Sequence, residues 1–251
     1  MRNPLRDRGG TDGSRSITRQ LIPAAERTHH FKEYPHAWMG VLTESPFNAK
    51  NLIYAHSDRG FALISQRTPE LQRMTFQVAP DEDVQSWSDR KVWDELQSRT
   101  AAAGVLELNE GPVIERTLLG FRSFVSTPMR WQNLVLAGDA AHTVPPTGAK
   151  GLNAAVNDIR ILHECLVTYF GGEPNALDDY SNRALKRIWK VENFSYWMTQ
   201  MLHKPDSGNT FDLERQLGEL ETITSSKIGQ AYLAECYTGW PNHSVGDRSR
   251  R

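Results

Sequence analysis

The chain has 251 residues, 39% of them hydrophobic, with 29 basic side chains against 30 acidic ones and a formal net charge of −1. That length can bury a real core in one large or two small domains, and the charge balance gives no global field that would favour nucleic acid or an anionic membrane as partner. No apolar stretch is long enough for a membrane span and no signal-peptide pattern precedes the body, so a cytoplasmic location is expected.

In chain order, the opening from Met1 to Arg8 is basic and without periodicity, and it runs into a glycine-rich segment ending in the turn pair Asp12-Gly13. From 17 to 77 the pattern is β-rich. Short apolar or alternating runs at 37–42, 51–55, 60–65 and 73–78 are separated by turn-rich segments at 43–46, 57–60 and 68–70, which predicts an antiparallel meander. Alternation in the third run puts Ala62, Ile64 and Gln66 on one side and Phe61, Leu63, Ser65 and Arg67 on the other. The second set is a poor core and a good floor for an aromatic acid: Arg67 can take a carboxylate bidentately, Ser65 can add a hydrogen bond, and Phe61 and Leu63 can hold a ring. Read alone, the same run is a strand ending in solvent, with Arg67 in a surface pair worth little.

Ser88 is placed to cap a helix starting at Asp89, with Val92, Trp93 and Leu96 in one stripe. Residues 113–125 have strand character despite Arg116 and Arg122. They lead through Pro128 to the stretch 134–153 (LVLAGDAAHTVPPTGAKGLN), around which the chain is organised. Its apolar start reads as a buried strand, Gly138 permits an abrupt turn, and Asp139 falls at the carboxyl end of the strand, where α/β folds place ligands. Pro145 and Pro146 stiffen the loop, while Gly148 and Gly151 allow close backbone approach. Leu152, Val156, Ile159, Leu162, Leu166 and Tyr169 then form a helical stripe that stops at Gly171-Gly172. The free N–H groups of that helix suit an anionic ligand, although the same strand-loop-helix could serve only as a connection.

A second long helix is predicted over about 176–202, with Leu177, Tyr180, Ala184, Ile188, Val191, Ser195 and Met198 on one face. Trp189, Phe194 and Trp197 form a second apolar surface for another helix or subunit. A third helix is predicted over 211–235, then a turn at 236–241 and a disordered tail at 242–251. Cys165 and Cys236 have no metal-ligand spacing around them, so no metal is expected. Cys165 falls beside the apolar stripe of its helix and reads as a buried free thiol.

The segment 138–153 resembles the second flavin-binding motif of the single-component FAD aromatic hydroxylases, and within them it is most similar to the p-hydroxybenzoate hydroxylase family. The likeness continues through 52–55, 59–63, 65–67, 122–124, 187–190 and 197–198, in order, and spans about 12–241. It implies an α+β fold with an antiparallel substrate-binding sheet, a partial Rossmann-like FAD domain and C-terminal helices. The implied parts are 1–16 as the end of the FAD domain, 17–125 as the substrate-binding domain, 126–172 as the second FAD motif and its helix, 173–241 as a helical region, and 242–251 as tail.

The resemblance also implies roles. Gly138, Asp139, Gly151, Leu152 and Asn153 would meet FAD, Arg73 would lie near the moving flavin, and Arg122 would help with NADPH. Arg67, Ser65 and Thr75 would hold the substrate carboxylate. Tyr54 would bond the phenol and Tyr237 would continue its proton relay, while the Pro146 carbonyl orients the phenol beside Thr147. Trp38, Leu52 and Leu63 would wall the ring. The implied reaction hydroxylates 4-hydroxybenzoate to 3,4-dihydroxybenzoate with FAD, NADPH and O2, in a homodimer.

Two departures qualify the match. Threonine stands at 75 where the family's best-known members carry tyrosine, and no GxGxxG unit occurs in the chain. A partial product of a hydroxylase gene is therefore expected. The alternatives are a related hydroxylase for another aromatic acid, or a non-catalytic aromatic-acid-binding or dimerising remnant.

Overall fold

The computed structural model describes residues 8–101, 107–205 and 209–240, so the predicted tail at 242–251 and most of the opening octapeptide lie outside the described residues. The chain forms two compact units, Met1–Asp206 and Ser207–Arg251.

The first unit carries two sheets. The larger has six strands in the order β3-β4-β5-β2-β6-β9, with β2 Thr28–Glu44, β3 Ile53–Ala55, β4 Ala62–Thr68, β5 Leu71–Val78, β6 Val113–Thr127 and β9 His142–Thr143. All of its pairings are antiparallel. The predicted meander needs correction, because only β3, β4 and β5 follow one another in space. β2 lies between β5 and β6, and it is 17 residues long rather than the six expected. Its first half escaped the sequence pattern because Thr28–Glu33 is exposed, and exposed residues leave no apolar alternation to read.

Met39, Val41, Ala62, Ile64, Met74 and Phe76 line one sheet face and pack on Trp87 and on Val92, Trp93 and Leu96 of α1, Asp89–Ala101. The expected cap is present, since the Lys91 N–H donates to Ser88 Oγ at 3.2 Å. The alternation read from the third run holds, so Leu63 and Ser65 look away from this core.

The smaller sheet has the order β1-β8-β7, from Arg8–Gly10, Leu134–Leu136 and Arg130–Trp131, with β1 parallel to β8. All three β8 residues are buried, as a central strand requires. They share a core with Ile161 and Cys165 of α2, Gly151–Phe170, and with Tyr180 and Ala184 of α3, Asp179–Leu202. The Tyr180 hydroxyl donates to the Leu136 carbonyl at 2.8 Å.

Of the stripe read on α2, Leu162, Leu166 and Tyr169 pack against this core, while its first turns need correction. Leu152, Val156 and Ile159 are 78%, 61% and 49% exposed, while Ala154, Asp158, Ile161 and Cys165 face inward. Apolar spacing marks two stripes on this helix, and the inward one is narrower and carries a carboxylate that hydropathy disfavours. The stripe expected on α3 is buried throughout, from Tyr180 to Met198. Its supposed second surface is not one face: Phe194 is buried, whereas Trp189 is 44% exposed and sits edge-on to His30.

In the second unit the single helix expected over 211–235 is two helices, α4 Thr210–Ser225 and α5 Lys227–Thr238. Ser226 is extended (φ −94°, ψ 128°) and its Oγ accepts the Gly229 N–H, so it breaks one helix and caps the next.

Candidate functional site

Directly paired residues in adjacent strands share a face. Tyr54 faces Leu63, Leu63 faces Thr75, and Thr75 faces Gly40; one step along, Ser65 faces Arg73. Trp38 lies two residues from Gly40 on the same side. One sheet surface, opposite the α1 core, therefore gathers Trp38, Tyr54, Leu63, Ser65, Arg73 and Thr75. Gly40 keeps it open: a Cβ there would lie 2.8 Å from Thr117 Oγ1 and 3.5 Å from the Arg73 guanidinium. Thr75 is buried and its Oγ1 has no hydrogen-bond partner among the described residues, which marks a place where a ligand's polar atom would be satisfied. Arg67 is exposed in the bulge where pairing slips from Gln66↔Gln72 to Thr68↔Leu71. Leu52, at the rim, is 44% exposed.

The Pro/Gly loop closes over this surface. Pro145 and Pro146 lead into one short turn, 146–148, after which Ala149 takes a left-handed conformation (φ 52°) before α2 begins. The Tyr54 hydroxyl donates to the Thr147 carbonyl at 3.3 Å and so joins sheet to loop. The Pro146 carbonyl accepts the Ala149 N–H at 2.9 Å and keeps its second lone pair. Gly148 is required by α3, because a Cβ there would sit 2.7 Å from Ser195 Oγ and 3.2 Å from its Cα. A Cβ on Gly151 would meet nothing within 4 Å, so this glycine borders open space. Lys150, which read alone is a solvated side chain, is instead buried with its ammonium over the Phe194 ring.

Around the motif's turn, Gly138 has φ 60°, and Asp139 is exposed at the end of β8. A carboxylate missed by sequence reasoning holds this turn. Asp158 Oδ2 accepts the Gly138 N–H at 2.9 Å and lies 2.6 Å from His142 Nε2, and both side chains are buried. The available signal was Asp158 itself, a charge at helical spacing from Ala154 and Ile161. Arg19 was also missed. It is buried, stacks 4.5 Å from the Phe124 ring, and shares the Ser14 carbonyl with Arg122. Burial is the main cause holding the Arg19 guanidinium below its usual range, with Asp12 and Asp139 opposing and Arg122 reinforcing. Asp139 and Arg122 thus lie in one electrostatic neighbourhood.

The donor set fits a flavin. Lys150, at the N-cap of α2, makes no side-chain capping bond to the first turn, whose N–H groups suit an acceptor, with Leu152 and Asn153 exposed beside them and Asp139 exposed at the end of β8. Tyr237 lies in α5 of the second unit.

Apart from these residues, a groove of about 350 Å³ runs between β2, β6 and α3, lined by Lys32, Tyr34, Ser123, Glu192, Trp189 and Tyr196 among others. Glu192 is 6% exposed, accepts the Ser123 hydroxyl at 2.7 Å, and is pushed up to about 7 chiefly by burial.

The family described as FAD binding domain matches residues 10–195. Over 233 residues the chain is 43% identical to the p-hydroxybenzoate hydroxylase of Acinetobacter baylyi, covering 92% of this chain and 58% of that protein. It is 26% identical over 153 residues to the 3-(3-hydroxy-phenyl)propionate/3-hydroxycinnamic acid hydroxylase of Paraburkholderia xenovorans, covering 59% of this chain and 23% of that one. The chain thus spans little more than half the length of the first of these relatives and about a quarter of the second. Its fold is similar to that of p-nitrophenol 4-monooxygenase from Pseudomonas putida, with TM-score 0.69 and 21% identity over 93% of this chain and 60% of that one. The Diels-Alderase PyrE3 gives 0.66 and 19%, covering 91% and 49%. No helix among the described residues is long and apolar enough to cross a membrane. The chain belongs to the FAD binding domain family and, within it, to the p-hydroxybenzoate hydroxylase family of FAD-dependent aromatic monooxygenases.

Proposed function

We propose that this chain provides the aromatic-acid site and the second flavin-binding motif of a 4-hydroxybenzoate 3-monooxygenase that uses FAD, NADPH and O2. The observation that carries the reading is the junction of the Tyr54 hydroxyl with the Thr147 carbonyl, where the sheet surface bearing Trp38, Leu63, Ser65 and Thr75 meets the Pro146–Gly148 turn. A ring seated there has its phenol at Tyr54 and the Pro146 carbonyl, and its carboxylate toward Ser65, Thr75 and Arg67. Leu52 at the rim completes the apolar wall.

Tyr54, whose own proton goes to the Thr147 carbonyl, accepts a hydrogen bond from the phenol and so makes the ring more electron-rich at the carbon ortho to it. Bound FAD supplies the redox and oxygen-transfer chemistry. Asp139, Gly138, Gly151, Leu152 and Asn153 hold it, and the N-terminus of α2 favours negative charge on it. Arg73 lies on the ring-facing surface where a moving flavin would pass, and Arg122 with Arg19 offers cations to NADPH. A homodimer in the cytoplasm completes the proposal.

A second reading, a hydroxylase for another aromatic acid, is supported by Thr75. Its buried unpartnered hydroxyl reaches less far than a tyrosine and leaves more room beside the carboxylate. Titrating the purified chain with FAD and then with 4-hydroxybenzoate or 3-hydroxybenzoate separates these readings. Stoichiometric flavin absorbance, a spectral change with 4-hydroxybenzoate and NADPH-dependent release of 3,4-dihydroxybenzoate are expected. Preference for 3-hydroxybenzoate overturns the substrate, and colourless, aggregating protein overturns catalysis by this chain alone in favour of a remnant.

A further inference from the structure

Six side chains close a circuit around the candidate ring site. Trp38 stacks on Phe61 with centroids 5.3 Å apart, and Phe61 lies 5.8 Å from Tyr54. Tyr54 bonds the Thr147 carbonyl, and the Thr147 hydroxyl is 3.0 Å from that of Thr199. The Thr199 carbonyl is 2.9 Å from His203 Nδ1, and His203 Nε2 accepts the Trp38 indole N–H at 2.7 Å. Both the loop and the aromatic wall are therefore fastened to the last turn of α3.

His203 is the joint of this circuit. It is the residue after α3, extended at φ −92° and ψ 137°, and its backbone N–H also donates to the Thr199 carbonyl, at 3.1 Å. A carbonyl accepts and cannot donate, so Nδ1 must carry the proton. Nε2 is then a bare lone pair in the imidazole plane, and the indole N–H must lie along it. The ring is 2% exposed, stacks on His36 at 4.4 Å and 8°, and meets Phe61 and Phe121 at 4.7 and 5.4 Å. It has no room to rotate. Burial first, then the neighbouring His36, hold it well below the usual imidazole range, so it remains a neutral acceptor.

We propose that His203 is a positioning residue that fixes the plane of the Trp38 indole and thereby sets the width of the aromatic slot between Trp38 and the Pro146-Thr147 loop, selecting one-ring over two-ring aromatic acids. Thr199, one turn earlier, ties the loop to the same helix end, so the two walls are held at one spacing. The selection rests on the reading of the slot as an aromatic-acid site, whereas the tautomer lock does not.

The test uses the full 15N-labelled chain, with and without FAD. Trp38 is assigned in the indole N–H spectrum by W38F. In wild type its proton should resonate downfield and exchange slowly. H203F, which removes the acceptor, should move it upfield and speed exchange, and H203Q, whose amide oxygen can accept, should restore part of the shift. H203F should weaken 4-hydroxybenzoate binding about tenfold, the scale of one neutral hydrogen bond, while raising the affinity for 6-hydroxy-2-naphthoate relative to it. If H203F does not fold, H203N, whose shorter amide does not reach the indole, carries the same expectations. An unmoved indole resonance overturns the lock. A moved resonance with an unchanged one-ring to two-ring ratio reduces His203 to a packing residue and overturns the proposal. Wild-type protein with the lock intact but no affinity for either acid overturns the reading of the slot, and the selection with it.

Discussion

Glu192 turns the groove beside α3 into a measurable pH dependence. Its carboxyl is buried, accepts one hydrogen bond from Ser123, and has Oε1 without a partner among the described residues. The cost of ionising it there raises it from 4.5 to about 7. An acid whose folded value lies above its unfolded value favours the protonated folded state. Its contribution is fully present below the unfolded value and is lost as pH rises from about 4.5 through about 7. Between pH 5 and pH 8 this linkage amounts to about 2.5 kcal/mol of lost stability. E192Q keeps an oxygen for the Ser123 hydroxyl and removes the titration. Urea unfolding followed by circular dichroism at pH 5, 6, 7 and 8 should show wild type losing about 2.5 kcal/mol relative to E192Q across the series. Parallel pH curves for the two proteins would refute the reasoning, because they would mean that Glu192 is ionised in the fold at no cost.

Three further outcomes are expected. G148A forces a methyl against Ser195, whose Oγ and Cα would lie 2.7 and 3.2 Å away, and should cost about 1–3 kcal/mol, seen as a lower Tm; an unchanged Tm would mean that the loop does not press on α3. D158A strips the acceptor from the Gly138 N–H and from His142 in a dry site, at about 2–4 kcal/mol, and should also weaken FAD binding in a fluorescence titration. Unaltered FAD affinity in a folded D158A protein would remove Asp158 from any part in shaping the motif. R67A should weaken 4-hydroxybenzoate about tenfold or more while leaving the uncharged 4-hydroxybenzamide unaffected, and equal loss for both would show that the guanidinium does not meet the carboxylate.

How much of this was legible in the residues depends on whether the cause was local. The cap at Ser88, the buried β8 strand and the Tyr180–Met198 stripe each follow from a few neighbouring side chains, and each is found as expected. Alternation in 60–67 separated the Ala62–Ile64 core side from the Leu63–Ser65 side because the sheet's period is two whatever lies beside it. Strand order is different. Nothing near Trp38 says that its strand will lie between β5 and β6, since the partners that decide this are distant in the chain. The stripe on the first turns of α2 fails for a related reason. Leu152, Val156 and Ile159 outscore Ala154 and Asp158 on hydropathy, yet it is Ile161 and Cys165 that share the β8 core, and Asp158 is tolerated inside because Gly138 and His142 satisfy it. The joint at His203 could not be read at all, for its partner Trp38 is 165 residues away.

The seating of β2 between β5 and β6 also has a kinetic consequence. Its registers join Gly40 to Thr75 and to Thr117, and the circuit around the ring site adds the link from Trp38 to His203. Loops of such lengths must close before any of these contacts returns free energy, so β2 with Trp38 joins late while α1 and the β3–β4–β5 hairpins form early. During synthesis the wall and floor of the slot leave the ribosome long before the helix end that clamps them. The slot can therefore take its final width only once α3 is complete, and a nascent chain stopped short of residue 203 would hold every ring-facing side chain of the sheet without the joint that spaces them.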